Sequence, residues 1–295
     1  MKLVTGKVWA AAAACALSAS VASAGPIIID GTDANDHGSF SGGNQNGWLY
    51  MQKALENLGS QFLAGGGTTK TVVSLGQSIS GGTQSGNAIS SAFTNGTLSG
   101  SGWSLVGHDG AGDIGTYLST ISTSNTGILF LGTAGNSLGD MDSAELGAVN
   151  ANAAAIAAFV NSGGALFAMS ESGITGEFGW LTTLIPGLVV TDVTAGGVGT
   201  DITLTAAGTT AFPGLTNAAM AGADPWHDYF GGTFGSLSVL GVANDGGGVS
   251  RALILGGGIG GQLSSVPEPA SLLLVGSGFL GLGRRMRNRR AAKRA

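Results

Sequence analysis

Charge is scarce in this sequence: only 10% of the 295 residues are Asp, Glu, Lys or Arg, against 43% apolar. A charge-rich disordered chain is thereby excluded. Basic residues are almost missing from the middle, where Lys53, Lys70 and Arg251 alone face sixteen acids between Gly25 and Ser265, a balance of 3 − 16 = −13. Such a surface repels phosphate backbones, so no nucleic-acid partner is expected, while divalent cations and neutral or cationic polymers remain compatible. Cysteine occurs once, as Cys15. Glycine is the residue in excess, with 55 copies, yet it keeps no three-residue period and alternates with apolar runs such as Ile27-Ile28-Ile29 and Ile128-Leu129-Phe130-Leu131. A collagen helix is excluded and a globular core is affordable.

The two ends read as addresses. Lys2 and Lys7 precede an apolar run through Leu17, and Ala22-Ser23-Ala24 supplies the small residues of a cleavage site. That order predicts a signal peptide over 1–24; the alternative is a buried N-terminal helix. Cleavage after Ala24 removes Cys15, leaving no disulfide and no thiol nucleophile. Gly25 stands where a lipoprotein needs cysteine.

At the other end Val266-Pro267-Glu268-Pro269-Ala270 is followed by an apolar stretch over 270–283 and a basic tail over 284–295 containing Arg284, Arg285, Arg287, Arg289 and Arg290. These three parts in this order closely resemble the PEP-CTERM sorting signal of Gram-negative bacteria. The resemblance implies processing by an exosortase, and it links such proteins to exopolysaccharide-producing bacteria. Fourteen residues make a helix of ~21 Å, a marginal span for a ~30 Å hydrocarbon core. The basic tail would stay in the cytoplasm, placing the acidic domain across the inner membrane. Transient anchoring and a permanent tail anchor are both open at this point.

Residues 25–260 are expected to form one acidic α/β domain: a mainly parallel, doubly wound sheet with a few additional C-terminal strands. Strands are expected at 26–30, 71–75, 104–107, 127–131 and 165–169, helices at 47–59, 87–93 and 142–161, and later strands at 188–191, 202–205, 237–242 and 252–255. The stretch 78–102, rich in Gly, Ser, Thr and Asn, reads as a surface insertion. The segment from Gly127 to Phe167, with Asp140 and Asp142 before an Ala-rich helix and a Gly163-Gly164 turn after it, resembles the class I glutamine-amidotransferase-like (flavodoxin-like) fold. The nucleophile strand of that superfamily would lead to a cysteine, where this chain has Ser170-Glu171-Ser172-Gly173.

Two short motifs carry little weight. Gly135-Asn136-Ser137-Leu138-Gly139 fits GxSxG and Gly110 to Gly115 fits GxGxxG, but this glycine content produces both by chance. The histidines are more informative, because all three abut an aspartate: Asp36-His37, His108-Asp109 and His227-Asp228. Loops after parallel strands converge on one sheet edge, so Asp30, Asp33, Asp36, His37, His108 and Asp109 are candidate metal ligands there. His37, His108, His227 and Asp33 are candidate catalytic residues, since a carboxylate orients an imidazole for acid–base work. The competing reading makes them Asx turns and caps.

Two functions follow. One is a non-catalytic cell-surface or matrix protein, exported through signal peptidase and exosortase, transiently held in the inner membrane and associated with exopolysaccharide. The other is an exported hydrolase-like enzyme with an Asp/His site. No cofactor is expected beyond a divalent cation in the second case.

Overall fold

In the computed structural model, residues 24–258 are described, except 136–138, 171–175, 194–201, 221–225 and 246. The signal segment, the sorting signal and the centre of the GxSxG loop lie outside the described residues.

The chain begins with β1 (Pro26–Asp30), a short hairpin β2 (Gly38–Phe40) and β3 (Asn44–Asn46), and α1 (Gly47–Ala64). Then come β4 (Thr71–Leu75), α2 (Gln84–Asn95), α3 (Thr97–Gly100), β5 (Ser104–His108), α4 (Ala111–Leu118) and β6 (Ile128–Leu131). Helices α5 (Ser143–Ala151) and α6 (Ala153–Asn161) lead into β7 (Ala165–Ala168), followed by α7 (Leu181–Leu184), β8 (Leu188–Asp192) and β9 (Thr203–Leu204). The described chain closes with α8 (Ala206–Ala211), α9 (Asn217–Met220), β10 (Asp228–Gly232), β11 (Ser238–Asn244) and β12 (Ser250–Gly258).

Strands β5-β4-β6-β7-β1 lie side by side and all parallel. From β1 the ten-stranded sheet continues antiparallel through β12, β10 and β8, while β11 pairs with β12 and β9. The strands at the centre are short, apolar and β-branched or aromatic, as strands covered on both faces must be. Alternation sorts their side chains. Ile28, Val72, Phe130 and Phe167 face a core covered by α1 and α2, and Ile27, Ile29, Leu129 and Leu166 face the core packed by α4 to α7. Helix α1 turns Tyr50, Met51, Leu55, Leu58 and Phe62 inward, and Tyr50 meets the edges of Phe167 and Phe212.

Three expectations need correction. The helix expected at 142–161 is two helices bent by 57°. Asn152 ends the first by donating its side-chain amide to Ala148 O at 2.8 Å, which diverts the backbone. The stretch 78–102 is no mere surface insertion, because α2 buries Ala88, Ile89, Ala92 and Phe93 in the first core; its small residues permit that close packing. The C-terminal strands, expected only as additions to the parallel sheet, include one at its heart: β12 pairs with β1 over Ile28↔Gly256 and sits inside the sheet. Among the strands of the main sheet, β10 is the one without an expected counterpart.

Candidate functional site

The parallel strands bring the chain segments after β1, β4 and β6 to one side, and β10, antiparallel through β12, starts on that side too. Ligands bind at this edge in open α/β sheets. The centre of the cluster is Asp33, buried in the turn after β1. Its Oδ2 lies 3.0 Å from His227 Nε2 and its Oδ1 3.1 Å from His37 Nδ1. A carboxylate can only accept, so His227 Nε2 donates to Asp33, while His37 Nδ1 stands at ion-pair distance. Burial works to raise Asp33, but the contacts and charges of His227 and His37 outweigh it and hold the carboxyl below its ordinary range. Contact with Asp33 in turn raises His37, against partial burial. The His227 ring is buried, whereas the His37 side chain is 39% exposed.

Asp30 lies beside this group with no exposure at all. Its Oδ1 accepts from Thr32 N at 3.0 Å and its Oδ2 from Thr32 Oγ1 at 2.8 Å. Burial pushes its pKa up to about 8, opposed by those bonds and by Tyr50, and helped by the charge of Asp33. Asp36 accepts from Ser85 Oγ at 2.8 Å, and the Gln84 amide donates to the Asp36 carbonyl. The same Ser85 hydroxyl touches Asp140, which also accepts from Asn35 Nδ2 at 3.0 Å and Thr133 Oγ1 at 2.6 Å. Trp48 Nε1 donates to Asn35 O at 2.9 Å, so the first turn of α1 ties the loop down. The carboxyls of this edge are thus held in adjacent buried sets, Asp30 with Thr32, Asp33 with the two histidines, and Asp36 with Asp140 through Ser85, and His37 is the member that reaches solvent.

The structure brings Asp30, Asp33, Asp36, His37 and His227 together, and leaves His108 and Asp109 elsewhere. His108 ends β5, at the opposite end of the parallel set from β1, four strand spacings of ~4.8 Å away. There it contacts Asp113 at 2.9 Å and stacks on Tyr117 with ring centroids 4.2 Å apart. Asp109 bonds with Glu145, whose carboxyl is raised by burial. A single cleft joining His37 and His108 does not exist. Among the described residues no group of three or more His, Cys, Asp or Glu is arranged to hold a metal ion.

The GxGxxG stretch does follow a strand and open a helix, the context in which it would seat a phosphate. The anion is already supplied from within: Gly110 N donates to Glu145 Oε1 at 2.6 Å. Asp228, at the start of β10, faces Asp192 across the strand pair. Burial lifts its pKa to about 6, the charge of Asp192 adds, and the Ser170 hydroxyl pulls the other way. Ser170 stands where the superfamily resemblance would put a nucleophile, but it is fully buried. Sequence reasoning missed Ser85, Asn35, Thr133 and Asp140 as members of the edge network, and no local pattern links those four.

The family profile for the PEP-CTERM protein-sorting motif matches residues 265–290. That motif supports an exported, exosortase-processed chain, held by a C-terminal membrane anchor before processing. No curated protein and no solved structure matches the chain. Among the described residues, no single helix is long and apolar enough to cross a membrane.

Proposed function

We propose that this protein, once sorted by its C-terminal motif, resides at the cell surface or in the extracellular matrix, where its acidic domain acts without catalysis in association with exopolysaccharide. The observation that carries the exported part is the sorting motif at 265–290. What supports a non-catalytic domain is the state of the sheet edge: Asp30, Asp33, Asp36 and Asp140 are buried and bonded to one another's neighbours. Carboxyls spent on holding three loops together are not poised for substrate. We further place the domain nearest the flavodoxin-like architecture. Counted among themselves, β4 to β7 run second, first, third, fourth, and β1 takes the fifth place.

In this reading a signal peptidase removes 1–24, the inner membrane holds the 270–283 segment transiently, and an exosortase releases it. Mass spectrometry of both termini on the exported protein tests the route. Gly25 as first residue and loss of 284–295 are expected; an intact basic tail on surface protein overturns the processing.

One observation favours the hydrolase-like alternative: His37 is raised and oriented by a buried Asp33 while its ring stays partly exposed, which is how a general base is held. Elemental analysis and ester or glycoside hydrolysis by the wild type and His37→Gln decide. A stoichiometric divalent ion, or turnover lost in the variant, would favour the enzyme; inactivity of both leaves the non-catalytic reading.

A further inference from the structure

The hairpin β2–β3 stands apart from the main sheet and pairs only within itself, from Gly38↔Asn46 to Phe40↔Asn44. Its tip turns through Gly42 and Gly43, both at positive φ. Phe40 is 52% exposed and is the aromatic member among the large exposed apolar side chains of the described residues. A phenyl ring held out on a two-stranded ribbon has no core behind it to explain it. Beside it opens a groove of about 610 Å3 between the hairpin and the start of α2, lined by Ser39, Phe40, Trp48, Thr83, Asn87 and Ser91 among others. That volume lies within the ~300–1,000 Å3 span of ligand sites.

No residue lining this groove is charged, although the domain carries a large excess of acids. The lining instead offers groups that both donate and accept. The side chains of Ser39 and Asn87 have no hydrogen-bond partner among the described residues. Thr83 Oγ1 caps α2 by accepting from Gly86 N at 3.2 Å, which leaves its proton to give. An ionic ligand would find no counter-charge here, and a polyanion would be repelled by the surrounding acids. An apolar ligand would strand the amide and hydroxyls. A sugar satisfies both halves: its C–H face lies on an aromatic ring, whose π-face is electron-rich, and its hydroxyls match donors and acceptors alike.

We infer that the groove between the β2–β3 hairpin and α2 is a binding site for an uncharged oligosaccharide segment, with Phe40 as the stacking platform and Asn87, Ser39 and Thr83 as the hydroxyl-reading groups. This names the site and ligand class for the polysaccharide association proposed above, and rests on it. Trp48 forms the buried wall, and its indole N–H is spent on Asn35 O, so it contributes shape rather than hydrogen bonds.

The test uses the full-length chain in mild detergent, titrated calorimetrically with cellotetraose, mannotetraose and tetragalacturonate. At least one neutral sugar is expected to bind, tetragalacturonate at least about tenfold more weakly, and Phe40→Ala and Asn87→Ala each to lose about tenfold in affinity. Both side chains are exposed, so neither variant endangers the fold. Absence of binding by both neutral sugars, equal affinity in Phe40→Ala, or preference for tetragalacturonate overturns the inference. Co-sedimentation with extracellular polysaccharide from the producing cells separates the two levels. If the wild type stays in solution, the association itself fails; if wild type and Phe40→Ala sediment equally, the groove alone is wrong.

Discussion

Replacing Asp30 by asparagine should stabilise this protein, and increasingly so as the pH rises. In the folded state the carboxyl is wholly buried and its pKa is pushed up to about 8, against 3.8 for the same group in water. Between those two values the unfolded chain has lost the proton and the folded chain keeps it. Stability therefore falls as pH rises through that window, at roughly 1.4 kcal/mol per pH unit. The full interval amounts to roughly 6 kcal/mol, and local relaxation around the charge reduces it to about half in practice, so a gain of ~3–6 kcal/mol at pH 8 is expected. The amide fits the existing bonds: its oxygen accepts from Thr32 N, and its NH2 donates to the Thr32 or Tyr50 hydroxyl, each of which can accept. Urea denaturation followed by tryptophan fluorescence, at constant ionic strength from pH 4.5 to 8.5, gives both curves. Subtracting one from the other cancels what Asp228 and His37 contribute to each. A difference that stays flat or shrinks with rising pH would refute the buried neutral carboxyl.

Asp33→Asn should lower the His37 pKa, because the carboxylate is what raises it; an unmoved imidazole titration by NMR would show the ion pair to be idle. In the wild type that pair's stabilisation is fully present below the ordinary histidine range and is lost as pH rises through the folded value. Gly31→Ala should cost roughly 2–4 kcal/mol, since a Cβ there would lie 2.0 Å from the Asp228 carbonyl oxygen, on the backbone that joins the β1 turn to β10; an unchanged thermal midpoint would contradict it. Asp142→Ala should cost ~1 kcal/mol, because its carboxylate accepts from Ala144 N and Glu145 N at 2.8 Å and completes a capping box with Glu145; denaturation curves that superimpose would show the cap to be dispensable.

Four of the five parallel strands were legible because each is a short, largely apolar run that a doubly covered sheet buries, and the edge strand β5 because Leu105-Val106 sits between turn residues. The C-terminal strands were legible as strands but not as neighbours of β1, since pairing partner is a long-range choice with no local mark. Helix α2 was legible at 87–93, where Ala88, Ile89, Ala92 and Phe93 keep a helical spacing, but the surrounding Gly, Ser, Thr and Asn masked its first turn and its burial in the core. The break at Asn152 depends on one side-chain bond to Ala148, which periodicity cannot register. At the site, the Asp–His neighbours drew attention to the right loops and the wrong pairs. His37 and His227 both turn to Asp33 instead of their adjacent acids, and His108 turns to Asp113. Where the backbone is extended, side chains of consecutive residues point to opposite sides, and in the turn at Asp36-His37 the ring finds Asp33, four residues back.

The place of β12 has a temporal side. A chain that emerges N-terminus first, from a ribosome or across a membrane, presents β1 long before the strand that closes over it. Until Gly256 arrives opposite Ile28, one whole margin of β1 offers unpaired N–H and C=O groups, the kind of open template that recruits foreign strands. Closure waits on β12, the last of the described strands, which ends shortly before the sorting motif at residue 265. Loop-closure entropy over nearly the whole domain makes that step slow. Until then the apolar Ile27-Ile28-Ile29 run is the part of the sheet most open to pairing with a foreign strand.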